Sequence, residues 1–222
     1  MKTSNSLVLR LTVLLVALLG FQIAQAAVVT YSFDNDFSDP LDLDSASPDG
    51  TAPWLTASFD DGGTVGSVTL TMTFGADNGA NTVNSVYFNL DPLLTAGDLT
   101  YTYISGASAS VNTSGNLSAA TAGDFDIYFD FPPPPGGGGA DFFEAGETVV
   151  YTITGAGIDA NSFGFESENP DEVAKIAAAQ IQSTGNGEQS AWIAVVPIPA
   201  AVWLFGSGLI VLGGLNRRRK GR

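Results

Sequence analysis

The stretch VTLTMTF, residues 68–74, puts Val68, Leu70, Met72 and Phe74 at alternate positions with Thr69, Thr71 and Thr73 between them. A period of two is the spacing of a β-strand, so one face of this segment is expected in a core and the other in water. Threonine on the wet face fits a pleated surface. The same grammar extends in both directions. It is read in AVVTYSF (27–33), WLTASF (54–59), the trio Val86, Phe88 and Leu90, the trio Leu99, Tyr101 and Tyr103, TVVYTITG (148–155), NSFGFES (161–167), IAAAQIQS (176–183) and SAWIAVV (190–196). In FDIYFDF (125–131), Phe125, Ile127, Phe129 and Phe131 are expected on one face, with Asp126, Tyr128 and Asp130 opposite. Residues 171–179 contain helix formers such as Glu172, Ala174 and Lys175, but Ile176, Ile181 and the following turn favour a strand. About ten short strands punctuated by Gly, Asn, Asp and Pro, with no long helical period, predict an all-β fold: an antiparallel, jelly-roll-like β-sandwich over residues 27–195.

All 23 acidic residues lie in that stretch and only one basic residue, Lys175, does, so its formal charge is −22 against −15 for the whole chain. Such a field repels nucleic acid, which excludes that partner class, and leaves cations or neutral hydroxyl-rich molecules. Cysteine is absent, so the core holds without disulfides; histidine is absent, which removes Ser-His-Asp and Cys-His chemistry and every His-based metal site. Hydrolysis is left with paired carboxylates alone. Asp126 and Asp130, four residues apart on one strand, are separated by roughly 13 Å, too wide for such a pair by themselves. With Tyr128 between them they suit sugar hydroxyls, the tyrosine ring offering an apolar face, and these three form the candidate ligand-binding set.

Two loops stand out. FPPPPGGGG (131–139) joins a stiff polyproline run to a glycine run and reads as a hairpin insertion. The loop over 34–50 gathers Asp34, Asp36, Asp39, Asp42 and Asp44, candidate ligands for Ca²⁺, which takes about six to eight oxygens. Their spacing does not match an EF-hand.

The chain ends carry targeting information. Lys2 and Arg10, the apolar run Leu11 to Gly20, and Ala24-Gln25-Ala26 together read as a secretory signal peptide over residues 1–26, with Ala24 and Ala26 marking the cleavage site. At the other end, Pro197 and Pro199 suit the start of a helix, and the uncharged run from Pro199 to Leu215, about 25 Å long as a helix, is the minimum that spans a bilayer. Arg217, Arg218, Arg219, Lys220 and Arg222 would stay on the cytoplasmic side.

Residues 196–222 resemble the PEP-CTERM sorting signal of Gram-negative bacteria: Val196-Pro197-Ile198-Pro199-Ala200, then AVWLFGSGLIVLGG, then the Arg-rich end. The common form has Glu between the prolines; Ile198 makes this a VPLPA-like variant. The resemblance implies recognition of the proline motif by an exosortase, a membrane transpeptidase, with the apolar helix as a transient inner-membrane handle and Arg217, Arg218, Arg219 and Lys220 as the retention signal. It implies release to the cell surface or an exopolysaccharide matrix, in a family associated with biofilm. The expectation is therefore a non-enzymatic structural or adhesive protein of the surface or matrix. The alternatives are a carbohydrate-active enzyme using paired carboxylates, and a permanently anchored calcium- or glycan-binding module.

Overall fold

The computed structural model describes residues 26–37, 47–79, 81–114, 117–131, 142–171, 173–183 and 190–197. The strands are β1 (Val28–Phe33), β2 (Asn35–Asp36), β3 (Leu55–Asp60), β4 (Ser67–Phe74), β5 (Asn81–Phe88), β6 (Thr100–Ser105), β7 (Ser110–Asn112), β8 (Leu117–Ser118), β9 (Asp124–Phe125), β10 (Ile127–Asp130), β11 (Phe143–Glu144), β12 (Thr148–Thr154), β13 (Ala177–Ser183) and β14 (Ser190–Val195). They form a five-stranded sheet, β1-β3-β4-β12-β6, and a seven-stranded one, β2-β14-β13-β5-β10-β7, with β11 also on β5 and β8-β9 as a separate pair. Every pairing is antiparallel.

The opening stretch is β4, and its alternation is realised: Val68, Leu70, Met72 and Phe74 are fully buried, while Thr69 and Thr73 are exposed. Its buried face meets that of the second sheet. Phe59 of β3 stacks on Phe163 with ring centroids 4.3 Å apart and touches Phe88 of β5 edge-on at 5.2 Å. Phe129 of β10 meets Tyr151 of β12 at 5.2 Å. Such contacts add to the burial of large apolar rings and tie the two layers together.

Four expectations are corrected. NSFGFES is not a strand. Asp159 accepts from Asn161 N at 2.8 Å and Ser162 Oγ accepts from Asp159 N at 3.0 Å, and this reciprocal cap closes a 3-10 turn over Ala160–Phe163. A Cβ at Gly164, the next residue, would lie 2.5 Å from the Tyr31 hydroxyl, so a side chain there would require Tyr31 to shift. FDIYFDF is not one strand either: the chain bends at Asp126 between β9 and β10, so Phe125 packs outside the seven-stranded sheet while Ile127 and Phe129 face inward. Third, β5 has no wet face: Val86 and Phe88 point into the sandwich, and Tyr87 on the reverse side is covered by Leu117, Ala122 and Phe125. Finally, Tyr103 lies at the open edge on β6 and is 46% exposed.

Lys175 is buried, its ammonium 5.4 Å from the centre of the Phe37 ring, which carries the chain just past β2. No helix among the described residues is long and apolar enough to cross a membrane. Residues 199–215, read as such a span, lie outside the described residues, as do residues 1–25 with Ala24.

One polar junction closes the first strand onto the body. Asp61, directly after β3, accepts from Ala27 N at 2.9 Å and Gly63 N at 2.8 Å on Oδ1, and from Ala160 N at 3.4 Å on Oδ2. The Ala27 bond, then the Gly63 and Ala160 bonds, hold its carboxyl below the usual carboxylate range. A depressed folded-state pKa gives stability that is present above the unfolded value, about 3.9, and lost as pH falls through the folded one.

Two substitutions test this architecture. Phe59→Ala is expected to cost about 3–5 kcal/mol in denaturant unfolding, since it removes a ring packed on three others; a loss under about 1 kcal/mol contradicts its place in the core. Asp61→Asn is expected to lower the melting temperature at about pH 7, with the difference shrinking as pH falls below the unfolded carboxylate value of about 3.9. A difference that stays constant as pH falls through the acid range shows that the carboxylate charge is not what stabilises the junction.

Candidate functional site

The ligand set Asp126, Tyr128 and Asp130 is divided by the bend at Asp126. Tyr128 and Asp130 remain together on the outer face of the seven-stranded sheet. The Tyr128 ring stacks on Tyr87 with centroids 4.7 Å apart and planes 22° apart, and Tyr87 in turn lies 6.0 Å from Trp192. Burial first, then Tyr87 and Asp130, push the Tyr128 hydroxyl above the usual tyrosine range, and burial does the same to Tyr87. Both phenols are therefore neutral and keep their protons as hydrogen-bond donors.

Asp126 turns to the end of the sandwich. Its Oδ2 accepts from Leu90 N at 2.9 Å, and its own N–H donates to Phe88 O at 3.2 Å. There it lines a cavity of about 310 Å³ with Asn89, Leu90, Pro92, Leu94, Phe165, Glu166 and Glu168. Burial first and the Asp126 charge second hold the nearby Tyr101 hydroxyl above its usual range.

Three segments build this cavity. Leaving β5, Asn89 and Leu90 continue the alternation of the strand, so Leu90 enters the core and Asn89 faces the other way. The bend supplies Asp126. The chain after the 3-10 turn supplies Phe165, Glu166 and Glu168, and it is held at Ser167: Ser167 Oγ donates to Ala122 O, Ser167 N donates to Lys175 O at 2.8 Å, and Lys175 N donates to Ser167 Oγ at 3.0 Å. With Ser167 pinned inward, its neighbours Glu166 and Glu168 are exposed. Glu168 also exchanges backbone hydrogen bonds with Asp124, N to O at 3.0 Å and 2.7 Å.

Asn89 is 3% exposed, and among the described residues its Nδ2 donates to nothing. A buried amide donor without an acceptor costs about 1–3 kcal/mol. The cavity combines three carboxylates as acceptors with an apolar wall of the half-buried Phe165 together with Leu90 and Leu94. Hydroxyl donors suit these carboxylates, and the ring and leucine side chains suit the apolar face of a sugar. The volume lies at the small end of ligand cavities.

No protein-family model matches this chain, and no curated protein or solved structure does either. The chemistry of the site therefore rests on its own residues. Sequence reasoning missed Asn89, Phe165, Glu166 and Glu168, although the two-residue spacing of the glutamates about Ser167 carried the signal that they share a side.

The acidic loop is only partly placed. Asp34 is exposed between β1 and β2, and Asp36, in β2, accepts from Ser47 Oγ. Asp39, Asp42 and Asp44 lie outside the described residues, and among those described no three acidic side chains gather as a metal site would require. Of the sorting motif, Val196 and Pro197 follow β14, while Ile198, Pro199, Ala200, Arg217, Arg218, Arg219 and Lys220 lie outside the described residues.

Proposed function

We propose that this is an exported, non-enzymatic surface or matrix protein whose β-sandwich, jelly-roll-like in its course, holds neutral hydroxyl-rich polymer at the cavity between Asn89, Asp126, Glu166 and Glu168. The observation that carries the ligand class is the grouping of three carboxylates, acceptors for hydroxyls, with an apolar wall in one cavity. Delivery rests on the two termini: a signal peptide that exports the body, and a C-terminal signal at Val196, Pro197, Ile198, Pro199 and Ala200 that an exosortase recognises, with the apolar run as a transient inner-membrane handle. The destination is the cell surface or exopolysaccharide matrix of a Gram-negative bacterium. The strongly acidic exterior keeps such a body soluble and clear of anionic polymers, and leaves neutral glycans as partners.

One observation favours a second reading, a carbohydrate-active enzyme: the cavity brings Asp126 near Glu166 and Glu168, which a single strand could not. Against it, both glutamates are exposed, whereas a general acid at neutral pH needs an apolar surround that keeps its proton on.

The purified protein is expected to bind neutral exopolysaccharide in calorimetry, and the Glu166→Gln, Glu168→Gln double variant to bind about tenfold or more weakly. It is expected to release no reducing sugar. Sugar release that disappears in Asp126→Asn establishes the enzyme instead, and failure to bind any neutral glycan removes the cavity from the account.

A further inference from the structure

The residue expected to begin the exported chain is already engaged at both its backbone groups. Ala27 N donates to Asp61 Oδ1 at 2.9 Å, and Asp61 N donates to Ala27 O at 3.2 Å. The Ala24-Gln25-Ala26 triplet puts the expected leader cleavage between Ala26 and Ala27, at the nitrogen that faces this carboxylate. The geometry points to a maturation-dependent ion pair: removal of the leader turns Ala27 N into an α-ammonium seated on Asp61, and that pair fastens the first strand of the processed protein. The inference rests on the signal-peptide reading above.

The chemistry is a hydrolysis. A signal peptidase adds water across the Ala26–Ala27 peptide bond; the hydroxyl goes to the Ala26 carbonyl carbon and a proton to the departing nitrogen, which takes a second proton from solvent. One amide N–H becomes three donors and a positive charge at the same place. Asp61 needs no rearrangement to receive it, because Gly63 N at 2.8 Å and Ala160 N at 3.4 Å already orient the carboxylate. The neutral hydrogen bond becomes charge-assisted, roughly twice as strong. Ala26 is exposed and Ala27 half-buried.

The surroundings favour the charge. Of the other titratable groups on the elements packed here, Asp60 pairs with Val28 across β1 and β3, and Asp159 caps the 3-10 turn whose Ala160 bonds Asp61; both are acidic. Tyr31 on β1 is held above its usual range by burial and stays neutral. An α-ammonium among acids has a raised pKa, so its stabilisation is complete below the unfolded value, about 7.7–8.0, and disappears as pH rises through the folded value. The precursor, with only the amide, lacks this increment, which biases completion of the fold towards the exported, processed chain.

The test compares the secreted protein with the unprocessed full chain. Intact mass is expected to place the secreted N-terminus at Ala27. Its α-amine, titrated by NMR or by pH-dependent amine labelling, is expected about one unit above the ordinary value, and Asp61→Asn to return it there. The secreted protein is expected to melt above the full chain at about pH 6, with the gap closing by about pH 10. If Asp61→Asn does not fold, acetylation of the α-amine in the secreted protein is expected to lower its melting temperature, and no change overturns the pair. A secreted N-terminus other than Ala27 removes the cleavage reading and the ion pair together. A chain beginning at Ala27 with an ordinary α-amine pKa, unmoved by Asp61→Asn, overturns the ion pair and leaves the leader reading intact.

Discussion

Phe59 lies on Phe163 and against Phe88, and through that cluster the two sheets acquire a common interior. The constraint behind it is severe. A body with a formal charge of −22 repels itself, and without cysteine no covalent tie limits its unfolded state. Apolar burial between the layers supplies most of the opposing free energy, and the largest buried side chains are accordingly aromatic: Phe33, Phe59, Phe74, Phe88, Phe129, Phe131, Phe143, Phe163 and Tyr151. The polar junctions at Asp61 and Ser167 then fix where the loops leave this interior.

Most strands could be read from alternation because a buried face and a wet face impose it, as β4 does with its threonines. The reading failed where that premise fails. Tyr87 belongs to a strand covered on both sides, so its outward partners Leu117, Ala122 and Phe125 are not foreshadowed by a wet face on β5. The bend at Asp126 follows from a long-range bond to Leu90 N, which no local pattern encodes. NSFGFES alternates like a strand, yet Asp159, two residues before it, caps a 3-10 turn; a local signal was present there and alternation outvoted it.

The candidate site shows the same division. Asp126 was singled out from its strand, but its companions come from the exit of β5 and from the chain after the 3-10 turn, which only the tertiary fold brings together. The cavity's carboxylates suit hydroxyl donors and cations alike, and its apolar wall is what sets it apart from the solvated acidic surface. Tyr128 and Asp130 stay on the outer sheet face with Tyr87, where neutral phenols and stacked rings form a separate, more covered surface.

The proposed binding matters to a cell only if the body reaches the surface, which depends on the C-terminal segment that begins as β14 ends. The most direct test is the intact mass and C-terminal peptide of the protein recovered from its native cells, in membrane and culture-medium fractions separately. Sorting through this segment predicts released protein with a C-terminus near Val196 and no Arg-rich end. Protein that retains Arg222 and is found in the inner membrane alone would contradict it and make the sandwich a permanently anchored domain.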